Sequence, residues 1–292
     1  MIVRFSNCLW LLVLAACCSA AGCGASASAL PSAAPNEKLV EEIRQSSGGA
    51  GGETAEAEAA TPTVDTWGDL TGKFVYDGPG FDAARLAVTK DEQVCGKHNL
   101  HDESLELGDG NALKNVVIFL ADKKSAVHPD YEATAKDTIK FDNEHCRFEP
   151  HILVMRTSQT LEVHNSDPVS HNSNMAPLGD AAFNPLISEN SQSLYHFAKQ
   201  QNAPVAVTCS IHPWMKGYVF PRDNPYAAVT SADGSFEIKN LPVGKHEFQV
   251  WQESVGGLSA KPDWKKGKFK FEIKEGTNDL GTIQVSSALF GK

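Results

Sequence analysis

The chain has 292 residues, 41% hydrophobic and 8% aromatic, enough for one large or two modest domains with proper cores. Its formal net charge is -10. No stripe of Lys and Arg interrupts that acidity, so the basic footprint a nucleic-acid partner needs is missing.

Residues 1–23 read as a targeting segment rather than as fold. Arg4 supplies a positive start and Leu9 to Leu14 an apolar stretch too short to span a bilayer, which together predict export. Leu14-Ala-Ala-Cys17 resembles a bacterial lipobox, which predicts lipidation of Cys17 and contact with a membrane through that anchor alone. Ala20-Ala-Gly-Cys23 is a weaker second candidate, and ordinary cleavage without lipid is the plain alternative. Residues 24–65 are rich in Ala, Ser, Gly, Pro, Thr and Glu and cannot bury enough apolar area to offset ordering entropy. They read as a disordered linker.

From Trp67 the pattern changes to short strand-like runs punctuated by Gly, Pro, Asn and Asp. Leu70 to Tyr76 ends at Asp77-Gly-Pro-Gly, and Asn115 to Ala121 is a wholly apolar run of strand length. The polar stretch from Asp122 to Glu144 reads as a loop. Ile152 to Met155 and Thr160 to Val163 flank Thr157-Ser-Gln, whose polar residues suit a hairpin turn. Ser193 to Phe197, Val205 to Cys209 and Gly217 to Phe220 continue the series, with no βαβ alternation. Past residue 222, an Asp233-Gly234 turn, Glu247 to Trp251 and the alternation of Phe269, Phe271 and Ile273 repeat it. The fold class this predicts is all-β, a β-sandwich over 66–222 with an N-terminal extension, followed by a β module over 223–288.

Of seven Cys, four lie in or beside the leader, leaving Cys95, Cys146 and Cys209. In an oxidising compartment that count suggests a Cys95–Cys146 disulfide and a Cys209 kept for metal. The rival is a second metal site built from Cys95, His98, His101, Cys146 and His151, whose Cys-x2-His and Cys-x4-His spacings are usable by an ion.

The chemistry-bearing string is Cys209-Ser-Ile-His212-Pro-Trp-Met215, with His171-Asn172 lying upstream. A thiolate, two imidazoles and a thioether are the donors of a mononuclear type 1 copper centre, two His and one Cys in a plane with a weak axial Met. Cys209 ends a strand, His212 lies on the loop and Met215 starts the return, so three donors can face one point. His171 follows the turn-forming Asn165-Ser-Asp-Pro168.

Val163-His-Asn-Ser-Asp-Pro-Val-Ser-His171-Asn172, with Cys209-Ser-Ile-His212-Pro-Trp-Met215-Lys-Gly, resembles the plastocyanin/azurin family of cupredoxins, and its short ligand loop is most similar to amicyanin. The resemblance covers about residues 145 to 222 and implies a Greek-key sandwich. It implies His171, Cys209, His212 and Met215 as ligands of one copper ion, and Asn172 as the residue tying the ligand loops together through Ser210. It also implies Trp214 as an apolar rim around an exposed edge of His212. His164, the other His before an Asn, is set aside on the family register.

Asp233-Gly-Ser-Phe-Glu-Ile-Lys-Asn-Leu-Pro-Val-Gly244 is similar to transthyretin-like or carboxypeptidase-regulatory-like modules. The pairing of such a tail with an exported cupredoxin resembles bacterial proteins labelled methylamine-utilisation-like. The function so implied is single-electron transfer in the periplasm or at the cell surface, without enzymatic activity, to a c-type cytochrome or a periplasmic oxidoreductase. Copper storage or delivery is the alternative from another class, and a surface adhesion protein with a vestigial copper site is the third.

Overall fold

The computed structural model of the protein describes residues 65–122 and 124–291. The leader, Cys17, Cys23 and the linker up to residue 64 lie outside the described residues. Within them the fold is all-β, and no helix is long and apolar enough to cross a membrane.

The principal sheets stack as four layers. The first holds β13 (Ser235–Pro242), β1 (Trp67–Asp77) and β17 (Gly276–Ser286), in that order. The second holds β12 (Ala227–Val229), β2 (Val116–Leu120), β14 (Gly244–Gln252), β15 (Gly256–Gly257) and β16 (Lys268–Ile273), with β16 paired to β14. In the third, β11 (Lys216–Arg222) lies between β10 (Val205–Thr208) and β5 (Ile152–Arg156). In the fourth, β4 (Arg147–Glu149), β3 (Thr138–Glu144), β6 (Thr160–Asn165) and β9 (Gln192–Tyr195) follow in order. A small ribbon pairs β7 (His171–Asn172) with β8 (Leu186–Ile187).

Side-chain alternation explains the stacking, because successive residues of a strand face opposite sides. In β2, Val116, Ile118 and Leu120 enter the core shared with β1, β13 and β17, while Val117 and Phe119 enter a second cluster with Ile152, Tyr218 and Phe220. β2 is therefore buried on both faces, as its unbroken apolar run requires. β11 and β5 alternate the same way: Tyr218, Phe220 and Ile152 face β2, and Val219, Leu153 and Met155 face the fourth sheet. Arg222 pins the junction, donating to Gln201 O at 2.7 Å and Leu120 O at 3.0 Å over the rings of Phe119 and Phe220.

This topology revises the division at residue 222. β1 pairs with β13 and β17, and β2 pairs with β12 and β14, so these two strands join the tail strands, while the segment between them that carries Cys95 packs on the metal-motif sandwich. Strands β3 to β11 form a sandwich inserted between β2 and β12. Two local readings also change. The stretch read as a loop contains β3, two of whose polar side chains find partners on or just past its parallel neighbour: Asn143 donates to His164 O at 2.7 Å, and Ser166 Oγ donates to Asp142 at 2.7 Å. Thr157-Ser-Gln does not close a hairpin, because β5 pairs with β11 and β6 with β3 and β9. The turn carries the chain between sheets, closed by Arg156 N–H donating to Gln159 Oε1 at 2.7 Å.

His151, a candidate donor of the rival metal site, is instead the centre of a buried charge network. Its Nε2 lies 2.7 Å from Glu253 Oε2 and its Nδ1 lies 3.6 Å from Glu103, while Lys216 reaches Glu253 Oε1 at 2.8 Å. Lys216 is thus paired to a carboxylate that is itself buried. Burial alone would lower the His151 pKa, but Glu103 and Glu253 outweigh it and raise it to about 9. The raised value means stability fully present below the ordinary histidine pKa and lost as pH rises through about 9. Relative to His151→Gln, the wild type should be more stable by on the order of 3 kcal/mol at mildly acidic pH, with the gap closing by pH about 10. Denaturant unfolding of both proteins across that range checks it, and a constant gap would refute it.

Candidate metal centre

The segment before His171 is shaped by two buried polar side chains. Asn165, fully buried at the end of β6, donates to Val169 O at 2.8 Å and Ile187 O at 3.0 Å and accepts Asp167 N–H at 3.0 Å. Asp167 accepts the backbone N–H groups of His145 and Cys146, each at 2.8 Å, and sits 3.0 Å from His171 Nε2. Burial would raise its pKa, but these donors lower it, so it is a carboxylate facing the outer nitrogen of His171. Burial likewise acts to lower the His171 pKa, and the contacts to Asp167 and Cys209 raise it.

The second segment is the loop of a β-hairpin. β10 and β11 pair antiparallel, with Thr208 opposite Lys216, and residues 209–215 join them. Cys209 N–H donates to Met215 O at 3.3 Å and Met215 N–H to His212 O at 2.9 Å, folding the loop tightly. Thr208 and Asn174 exchange backbone bonds of 3.0 and 2.8 Å, stitching this hairpin to the stretch after His171. Gly217 lets β11 pass closely over its neighbours: an added Cβ would stand 2.8 Å from Phe148 Cβ.

The structure brings His171, Cys209 and His212 to one point. Cys209 Sγ lies 4.0 Å from His171 Nδ1 and 3.8 Å from His212 Nδ1, and the two Nδ1 atoms are 2.9 Å apart. Exposure of the three residues is 0, 2 and 0%. Burial would raise the Cys209 pKa, but His171 and His212 outweigh it and lower it to about 5, so the sulfur is a thiolate at neutral pH. One ion bonded at about 2.0–2.3 Å reaches all three atoms, so the donor set fits a borderline-soft transition metal. Met215, 1% exposed, shares the apolar cluster of Cys209.

The residues around the donors are placed as follows. Asn172 Oδ1 accepts Ser210 N–H at 2.8 Å and Ile211 N–H at 3.3 Å, and its Nδ2 is 3.4 Å from Ser210 Oγ, so it joins the two ligand segments. His212 N–H donates to Cys209 Sγ at 3.4 Å. Trp214 packs on His212 with ring centroids 5.1 Å apart and donates Nε1–H to Cys146 O at 3.1 Å. It does not rim an exposed imidazole: His212 is fully buried, and its Nε2 lies 2.8 Å from Asp91 Oδ2.

Cys95 and Cys146 form a disulfide, which removes both sulfurs from any second metal site. His98, Cys146 and Asp167 do lie close together, but that leaves only two free donors. His101 is on another part of the surface beside Arg85, and His151 belongs to the charge network. His164 sits on β6, half-buried, 3.9 Å from Glu162 and outside the three-donor group.

Asp167 and Asp91 were not singled out from sequence. Asp167 stands four residues before His171, a spacing that could have been noticed; Asp91 is remote from His212 along the chain and carries no local signal.

No family model matches the chain, and no curated protein matches it by sequence. Among solved structures it is similar to a copper-containing nitrite reductase from Thermus scotoductus SA-01, at 21% identity and a TM-score of 0.27, over 36% of this chain and 25% of that one. The chain thus spans about a quarter of that reductase. It is also similar to a purple cupredoxin from Nitrosopumilus maritimus, at 21% identity and a TM-score of 0.25, over 28% of this chain and 98% of that one. An oxidized mutant of amicyanin aligns at 18% identity and a TM-score of 0.27, over 36% of this chain and 98% of that one.

Proposed function

We propose that the chain is a type 1 copper protein that carries single electrons and transforms no substrate. The observation that supports this most directly is the convergence of one thiolate and two imidazole Nδ1 atoms in an apolar, solvent-free pocket beside Met215. Copper bound by these residues would supply one-electron exchange between Cu(II) and Cu(I). Hairpin hydrogen bonds, Asn172 and Asp167 fix the donors in place before any metal arrives, and such preorganisation limits rearrangement on electron gain or loss. Storage or delivery fits less well, since a delivering site must offer its donors to an acceptor, and these are shut away.

The remaining parts of the reading follow from the sequence. The protein is exported, anchored by lipid at Cys17, and exchanges electrons with a c-type cytochrome or a periplasmic oxidoreductase. The test is metal analysis with the visible spectrum of the purified protein. One copper per chain with an intense thiolate-to-Cu(II) band supports the assignment. A colourless protein that takes up no copper overturns it.

A further inference from the structure

Asp91 precedes a single helical turn, α1 (Glu92–Cys95); its carbonyl accepts Val94 and Cys95 N–H at 2.8 Å each, but its side chain does not cap the turn. An Asp at a helix N-cap normally accepts an amide N–H of the first turn. Asp91 makes no side-chain cap bond, and its backbone sits at φ 46° and ψ 41°, the left-handed region that non-glycine residues visit infrequently. The carboxylate turns instead to His212, with Oδ2 2.8 Å from Nε2.

The strap bearing Asp91 is fastened at its other end. Cys95 closes α1 and is bonded to Cys146. Cys146 lies in the tight β3–β4 turn, where it and His145 both have positive φ. That turn donates two amides to Asp167, the carboxylate on His171, and its Cys146 carbonyl accepts Trp214 Nε1–H. One disulfide therefore staples the supports of both carboxylates across the donor group. Asp91 is the outermost member, its side chain 42% exposed against 0% for His212.

We propose that Asp91 is a positioning residue of the copper site: its carboxylate accepts the Nε2–H of His212, holds the ring with Nδ1 toward the ion, and seals the edge of that ring from solvent. The proposal rests on the copper reading. A carboxylate on the outer nitrogen makes an imidazole a more basic ligand, which favours Cu(II) over Cu(I).

Two variants of the full chain separate charge from cover. Asp91→Asn keeps the shape and tolerates a left-handed backbone, and Asp91→Gly removes the side chain where glycine is unstrained. Copper-loaded Asp91→Asn should keep its visible band while the ratio of Cu(II) to Cu(I) affinity falls about tenfold, a rise in potential of about 59 mV. In metal-free wild type, NMR should find the His212 Nε2–H protected from solvent exchange, and in metal-free Asp91→Gly that protection should be lost. An unmoved potential in the first, or intact protection in the second, overturns the proposal. A wild-type protein without the band overturns the copper reading instead, and the metal-free measurement then still decides the role of Asp91.

Discussion

Cys209→Ser removes the visible charge-transfer band completely and leaves the protein unable to retain copper through dialysis. The sulfur is the only soft anionic donor in the group, held as thiolate by two imidazoles that bring its pKa to about 5. A serine hydroxyl stays protonated there, and what remains are two neutral imidazoles without the charge that binds Cu(II). The fold should survive, because a serine oxygen can still accept the backbone N–H groups of Asn172 and His212 that face the sulfur, and the neighbouring loop bonds run through the Asn172 side chain. Metal analysis, visible absorption and far-UV circular dichroism on the one variant check all three statements. A retained intense band would place the copper elsewhere and refute the assignment.

Reduction of Cys95–Cys146, or the paired change Cys95→Ser with Cys146→Ser, should cost about 4 kcal/mol of stability in the chain-entropy estimate for a closed loop of this length. The two Cys are 51 residues apart and both fully buried, in a small apolar cluster with Leu100 and the flank of Trp214. The segment between them contributes β2 to one sandwich and β3 to the other, so freeing its ends enlarges the unfolded ensemble of both. Denaturant unfolding with and without reductant measures the loss. A change under about 1 kcal/mol would show that the apolar cluster alone holds the strap.

What could be read along the chain was whatever is encoded locally. The short hairpin loop between Cys209 and Met215 is one such feature, since a few residues between paired strands leave the donors little freedom. The odd cysteine was another, because two of the three Cys outside the leader close a bridge and one remains. The doubly buried β2 also declared itself as an unbroken apolar run. Strand β3 hid because its Lys140, Asp142, Asn143 and Glu144 are those of a loop, and the partners of Asp142 and Asn143 lie on or just past β6, which sequence does not place alongside. The destination of β1 was not legible, since alternation reports a strand and not its partner. Asp91 was invisible for the same reason: its role lies in a contact made across the fold.

The insertion of one sandwich into another also sets an order in time. Every strand partner of β1 lies in β13 or β17, with Gly68 opposite Gly276, so during synthesis the first strand waits for the last. Strands β3 to β11 find all their partners between residues 138 and 222 and can close early, at a smaller loop-closure cost. Until β13 emerges, β1 is a strand of eleven residues without either partner, and until β17 emerges one of its edges stays open. The inner sandwich can thus be complete while the outer one still depends on the end of the chain.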